Sequence, residues 1–442
     1  MQTATSGASI YYTTDGSTPT QSSTLYAGAM TLSSTAAVNA KAFKSGANPS
    51  AVAAASFTNT GTGNTYYVAK SGSDSNSCAQ ARSLSAPKRT IGSAILCLSA
   101  GATLQIRGGT YDERIDRNIS VPNGISWSNP VTIMAYPGEK VTLFPTQQSD
   151  VPVIEFIPAA VNRYIIFDGL TLDGTNVLAG YVVYLGAATD HIRFTNVEIK
   201  NGGASQIGNG TGNVSNGAGV SGTGHEFVNC NVHDNGRDPG NASGASAYGF
   251  YVGSGSDHLI ERCKVYNNGG YGIHVYGHPS RVTIRYSEIY ANSQDSTMTT
   301  AGIIVSSGDG HKVYGNIVRN DRRGGIQVYN GCTNCLIYNN TVYGNAWGIS
   351  VSQATTGVIL RNNIVYLNSG GNIMNDGGQG AIISNNLISD PGFIDAGTGD
   401  FHLRSGSPGI DAGVALTEVA YDMDGTPRPQ GGQYDIGAYE YH

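Results

Sequence analysis

Ile337-Tyr338-Asn339-Asn340-Thr341-Val342-Tyr343-Gly344-Asn345-Ala346-Trp347-Gly348-Ile349 is answered 23 residues later by Leu360-Arg361-Asn362-Asn363-Ile364-Val365-Tyr366. Working outward from Val342, one apolar position recurs at Leu172, Ile199, Val232, Val265, Ile289, Val318, Val342, Val365 and Ile388. Five residues ahead of each stands a second apolar column: Phe167, Phe194, Phe227, Ile260, Ile284, Val313, Ile337, Leu360 and Ile383. A third follows at Ala218, Phe250, Ile273, Ile303, Ile326, Ile349 and Ile373. Short apolar strands bounded by Gly or Asn cannot bury a face alone. Stacked coils can, giving three parallel sheets around one narrow core. The in-phase recurrence over nine coils predicts an all-β chain whose main body is a right-handed parallel β-helix, in preference to a Gly-rich sandwich. Asn316, Asn340, Asn363 and Asn386 share one column, as in an asparagine ladder whose amides bond between rungs ~4.8 Å apart.

The composition agrees. Of 442 residues 61 are Gly and only 13% are charged, and the long Glu/Lys/Leu stretches of a helical bundle are missing. The 39% hydrophobic content, with 26 Tyr and 10 Phe, excludes ordinary disorder. A net charge of −6 without a basic block disfavours nucleic acid as a partner. No apolar run reaches the ~18–20 residues that span a bilayer. Met1-Gln2-Thr3 carries no secretion signal, and a native signal is expected to have preceded it.

Six cysteines are too few for a disulfide scaffold. Cys78 is expected to pair with Cys97 across the cap, and Cys332 with Cys335. Cys230 and Cys263 share a column, which suits a disulfide or two stacked thiols. Export with structural disulfides, hence a secreted protein, is the expectation. His225, His258 and His311 occupy an inward column broken by Val282, so structural histidines are expected rather than a metal site. Asp422-Met423-Asp424-Gly425 reads as an ordinary turn before it reads as a calcium loop.

Residues 1–59 differ from the rest. Ile10-Tyr11-Tyr12-Thr13-Thr14-Asp15-Gly16-Ser17-Thr18-Pro19-Thr20 runs a strand into an Asp-Gly turn, and Ala37–Phe43 alternates like a strand. The stretch resembles the small β-sandwich appended to chitobiases and other secreted glycan enzymes, in a truncated copy. Residues 60–64 read as a linker. The β-helix is expected over 65–400, opening with a capping segment whose short helix carries Ile91, Ile95 and Leu98 on one face. Residues 401–442 resemble the tail that closes such helices.

Extra length marks where the solenoid is elaborated. Ile199 to Ala218 takes 19 residues, Val232 to Phe250 takes 18 and Ile289 to Ile303 takes 14, against 7 or 8 elsewhere. These insertions leave one turn on nearby coils and are expected to wall the third sheet, where loops on a rigid scaffold carry function. The outward residues there are Gly219, Tyr251, His274, Ile304, Gln327 and Ser350, and in the next row Ser221, Gly253, Tyr276, Ser306, Tyr329 and Ser352. Tyrosines around His274 suit stacking on sugars and bonding their hydroxyls. Arg322 and Arg323, in the turn before Gln327, suit a uronate carboxylate.

From His233-Asp234-Asn235 through Ala247-Tyr248-Gly249-Phe250 to Asn268-Gly269-Gly270-Tyr271-Gly272-Ile273-His274, the chain resembles the pectate-lyase-like β-helix families, nearest polysaccharide lyase family 9. The resemblance implies a polysaccharide substrate and a groove on one sheet. The family's calcium-binding aspartates fall at Tyr248, Gly270, Tyr271 and His274, and its catalytic lysine at Ile304, so that machinery is absent from these positions. Calcium is kept open as a cofactor, and a monomer is expected.

Elimination needs a base, an acid and a carboxylate neutraliser. His274, Tyr276, Arg322 and Arg323 are the expected catalytic residues, with Tyr251, Tyr271, Gln327 and Tyr329 binding substrate. Hydrolysis needs two carboxylates. It would have to recruit Asp234, Asp238 or Asp321. A glycan-binding solenoid without turnover is the third reading.

Overall fold

The computed structural model describes the chain except residues 2, 4, 6, 27, 29–35, 58–63, 158–160, 179, 205–214, 237–246, 295–299 and 353. It divides into two units, Met1–Thr65 and Tyr66–His442. Instead of a two-layer sandwich, the described residues of the first unit form one antiparallel sheet. Its order is Thr24–Leu25, Ser9–Thr13, Ala36–Phe43, Ala53–Phe57. Asp15 Oδ1 accepts from the Ser17 N–H at 3.0 Å, which closes the Asp-Gly turn. A single sheet has no second layer to cover, and Val38 and Pro19 are the buried residues among those described.

The second unit is the right-handed parallel β-helix. Its first sheet runs from Thr65–Val68 to Ile382–Ser384, its second from Gly109–Tyr111 to Ile364–Tyr366, and its third from Ile154–Phe156 to Ile373–Asn375. All three apolar columns stand in register. Val232 pairs with Val265, Phe227 with Ile260 and Phe250 with Ile273, each buried. Phe167, Phe194 and Phe227 stack with ring centroids 5.0 Å apart. On the last rung Ile383 and Ile388 are 37% and 55% exposed, since no further coil covers them.

The Asn-Asn doublets explain how each rung turns. The first residue of the pair, at Asn339, Asn362 and Asn385, adopts a left-handed conformation (φ 48°, 56° and 53°) that Asn tolerates better than most residues. The second points inward. Asn340 Nδ2 donates to the Val313 carbonyl at 2.9 Å and to Asn363 Oδ1 at 3.0 Å, while Asn340 Oδ1 accepts from the Asn316 N–H. The ladder continues through the Ser287 hydroxyl to Cys263. Asn340→Ala would strand donors that water cannot reach. A loss of about 2–3 kcal/mol is expected, read as a lower urea midpoint at unchanged slope.

A second inner ladder, which the spacing of the apolar columns does not announce, runs along the corner between the second and third sheets. It passes through Asn235, Asn268, Asn292, Asp321, Asn345 and Asn368. Beside it lies an inward column of glycines: Gly217, Gly249, Gly272, Gly302, Gly325 and Gly348. A Cβ on Gly249 would sit 2.6 Å from the Gly272 carbonyl and 2.7 Å from Val265 Cγ1, so no larger residue fits. Because Gly249 and Phe250 both face inward, Tyr248 and Tyr251 both face outward.

The cysteines divide as expected: Cys78–Cys97 and Cys332–Cys335 are disulfides, and Cys230 and Cys263 are buried thiols. Closing the Cys78–Cys97 loop contributes ~3 kcal/mol in the chain-entropy model. The histidine column is structural. Nδ1 of His225 accepts from the Ile192 N–H at 3.0 Å, and Nδ1 of His311 from the Val282 N–H at 3.2 Å. His258 Nε2 lies 3.1 Å from the Ser254 carbonyl.

The tail differs from the expected closure. It packs on the flank of the helix instead of across its last rung. Phe393, Phe401, Leu403 and Ile436 cover Ile317 and Ile364, which face outward from the second sheet, and Leu416 and Val419 cover Tyr286, Tyr314 and Tyr338. Outward apolar residues on those strands provide the surface that the tail's own apolar residues need. Asn339 Nδ2 donates to the Asp435 carbonyl, and a buried Arg428–Glu440 ion pair knits the tail together. Asp422 accepts from the N–H groups of Thr426 and Glu440 while Asp424 pairs with His402, so the Asp-Met-Asp-Gly segment is a turn whose carboxylates diverge.

Candidate functional site

Parallel pairing sets Tyr251, His274, Ile304, Gln327 and Ser350 side by side on the outer face of the third sheet. The row of Tyr276 holds Ser306 and Tyr329 and reaches Asp376 beyond Ser352. A third outward row comes from the glycine column: Tyr248, Tyr271, Ala301, Gly324 and Trp347 precede the inward glycines. Tyr248, Tyr271, Ala301 and Ile304 form an apolar cluster with Tyr251 and Trp347 packed against it, and the Trp347 ring lies over Gly324.

His274 is the centre. Tyr271 stacks on it at 4.6 Å, Tyr248 and Tyr251 meet it edge-on at 4.7 and 5.5 Å, and Tyr276 lies 5.4 Å away. Its Nδ1 is buried without a hydrogen-bond partner among the described residues. Burial among these rings lowers its pKa to about 4, so the imidazole is neutral at pH 7. Burial likewise pushes the Tyr271 and Tyr181 phenols up to about 12. Tyr276 and Tyr329 are exposed and Gln327 is half-buried. The face therefore presents neutral hydrogen-bonding groups on an aromatic floor.

The arginines stand at its edge. Arg322 is exposed and donates to the Gln294 carbonyl at 3.0 Å, and the Arg323 carbonyl accepts from the Ala346 N–H at 2.7 Å. The carboxylates considered for hydrolysis do not gather here. Asp321 is buried within the inner ladder, and Asp234 sits on the preceding corner against His233 and Asn267. Asp238 and the middles of the three insertions lie outside the described residues. Among the described residues, the two rows centred on His274 and Tyr276 meet a carboxylate only at Glu155 and Asp376, each four rungs or ~19 Å away; Glu155 is paired with Arg117. Calcium takes six to eight oxygen ligands, several of them carboxylates. The described residues around His274 do not supply them, and they contain no metal-binding group of three or more His, Cys, Asp or Glu.

Tyr181, Tyr248 and Trp347 were missed by the alternation rule, which fails where two successive residues face inward, and Tyr184 because the third column was followed only from Ala218 onward. A signal was present: Tyr248-Gly249, Tyr271-Gly272 and Trp347-Gly348 are aromatic-glycine doublets in one column. Tyr181 stacks on Tyr184 at 5.4 Å and approaches Tyr251 at 6.4 Å, extending the aromatic strip toward the N-terminal coils.

The fold is that of a right-handed parallel β-helix, preceded by an N-terminal β domain. Residues 216–388 match the family model of the right-handed β-helix region, and residues 1–54 that of the chitobiase/β-hexosaminidase C-terminal domain. Among solved structures the chain is similar to pectate lyase Pel9A, at 19% identity and TM-score 0.61 over 86% of this chain and 96% of that one. It is also similar to a rhamnogalacturonan lyase (17%, TM-score 0.50, 75% and 90%) and a glycoside hydrolase (11%, TM-score 0.50, 73% and 96%). No curated protein matches the chain in sequence.

Proposed function

We propose that this is a secreted carbohydrate-active protein that cleaves a uronate-containing polysaccharide by β-elimination across the third sheet. The observation carrying this reading is the placement of His274 among Tyr248, Tyr251, Tyr271 and Tyr276, at the centre of an aromatic face bordered by two arginines. In the reaction a base takes the proton α to the uronate carboxylate, the electron pair becomes the new C=C bond, the glycosidic C–O bond breaks, and the leaving oxygen takes a proton. His274 serves as the base and the Tyr276 hydroxyl as the acid, with Arg322 or Arg323 offsetting the charge that builds on the carboxylate. Tyr251, Tyr271, Gln327 and Tyr329 hold neighbouring sugars by stacking and hydroxyl contacts. The two disulfides and the likeness to lyases and a hydrolase support an exported glycan enzyme.

Incubation with a panel of anionic and neutral polysaccharides tests it. Unsaturated sugar ends are expected from a uronate polymer and none from neutral polymers. Reducing ends without unsaturation would indicate hydrolysis, and binding without new ends a non-catalytic solenoid.

A further inference from the structure

Five of the six rungs in the second inner ladder carry Asn, and the fourth carries Asp321. Each Asn does two jobs. Its Oδ1 accepts from the preceding rung, and its Nδ2 donates to a carbonyl one coil back: Asn268 to Val232 at 3.2 Å, Asn292 to Val265 at 3.0 Å, Asn345 to Val318 at 3.2 Å. The amide also donates onward, as Asn235 does to Asn268 Oδ1 and Asn345 to Asn368 Oδ1, both at 3.0 Å.

Asp321 does the first job: its Oδ1 accepts from the Asn292 N–H at 2.6 Å. Its Oδ2 stands beside Gly302, where Asn268 and Asn292 set their Nδ2 atoms beside Gly249 and Gly272. That oxygen is buried and has no hydrogen-bond partner among the described residues. By the pattern of the other rungs, an amide nitrogen in the place of Oδ2 would donate to the Ile289 carbonyl behind and the Asn345 side-chain oxygen ahead; both are acceptors, so only a proton on Oδ2 can make that contact.

We propose that folded Asp321 is a neutral carboxylic acid whose Oδ2–H completes the inner ladder, and that its ionisation unlatches the turn bearing Arg322 and Arg323. Around it, Asn292 and Gly302 face it from the preceding rung, Asn345 from the following one and Val318 from its own. Arg319 is the charged group whose field reaches it, and that guanidinium is committed to Glu288 at 2.7 Å. Burial raises the acid from 3.8 to about 7, outweighing the hydrogen bonds that the Asn292 N–H and side chain donate to it and the more distant Arg319 charge. The protonation state of Asp321 and the unlatching of the turn are independent of the proposed enzymology.

The test compares wild type with Asp321→Asn, which restores the residue of the other rungs. The two folding constants should run parallel below about pH 4. They should then diverge in favour of Asn by about tenfold per pH unit up to about pH 7, roughly a thousandfold in all. The infrared difference between wild type and variant at pH 5.5 should contain a protonated-carboxyl C=O band that fades near pH 7, the raised acids Asp435 and Glu440 cancelling because both proteins carry them. Amide exchange at Arg322, whose N–H bonds the Asn292 carbonyl, should accelerate above pH 7 beyond the intrinsic rate in wild type alone. Parallel stability profiles with no such band would overturn the neutral acid, whatever the protein does to glycans. Equal exchange in both proteins would overturn the unlatching.

Discussion

Replacing His274 by Ala is expected to lower turnover on a uronate polymer by about 10²–10⁴-fold, the usual contribution of a positioned acid or base. The imidazole is neutral down to about pH 4, so no protonation competes with proton abstraction over the working range. The effect should fall on kcat more than on KM, because Tyr251, Tyr271 and Tyr329 still hold the sugars. Tyr276→Phe should cost less if water reaches the leaving oxygen in its place. Removing a ring packed among Tyr248, Tyr251, Tyr271 and Tyr276 should also cost about 1–3 kcal/mol of stability, so turnover is compared at a temperature where both proteins are folded. Unchanged turnover in both variants would remove the proposed site. Activity abolished only by loss of Asp238 would favour a hydrolase.

The second large effect is on stability in acid. His225, His258 and His311 are buried and neutral; burial lowers His225 to about 3 and His258 to about 4, with His258 adding repulsion on His225. Above pH 6.5 folded and unfolded chains are both neutral at these sites, and the stability is fully present. As pH falls through 6.5 the unfolded chain takes protons that the native rings refuse. Each histidine then removes about 1.4 kcal/mol per pH unit until its folded pKa is reached. A loss of about 2–3 kcal/mol is expected by pH 4.5 from each of His225 and His258; His311 acts in the same direction, and His274 adds to the same slope. Asp321 works in the opposite sense, gaining stability as pH falls from about 7 toward 4, and offsets about one proton. Urea midpoints at pH 4.5 and 7 check the balance, and His258→Asn should flatten the slope by one proton. A wild-type midpoint that does not fall in acid would contradict neutral burial of the column.

Much of this was legible in order along the chain. A solenoid repeats one local problem, so three apolar columns read at the right spacing name the residues that stack, from Phe167 to Leu360. The doublet Asn339-Asn340 carries both a corner and a ladder rung, and the spacing of Cys78 and Cys97 brings them together across one capping loop. His274 and Tyr276 were likewise visible as outward neighbours of Ile273 and Val275.

What only the tertiary structure decided depends on contacts between rungs and on surfaces with no periodic signature. Alternation assigns faces correctly until a strand turns two residues inward, and the inward glycines do that because a Cβ there would collide with the next rung's carbonyl. Tyr248 and Trp347 therefore join the face although simple alternation turns them away. Asp321 reads in sequence as a polar loop acid beside two arginines; stacking makes it a ladder rung, buried between amides, because its place is set by Asn292 and Asn345 on other coils. The tail's course over Ile317 and Ile364 is likewise long-range. Apolar residues outward on a strand look like a solvated face until a distant segment with matching side chains covers them, and local sequence encodes burial by neighbours only when those neighbours recur at a fixed period.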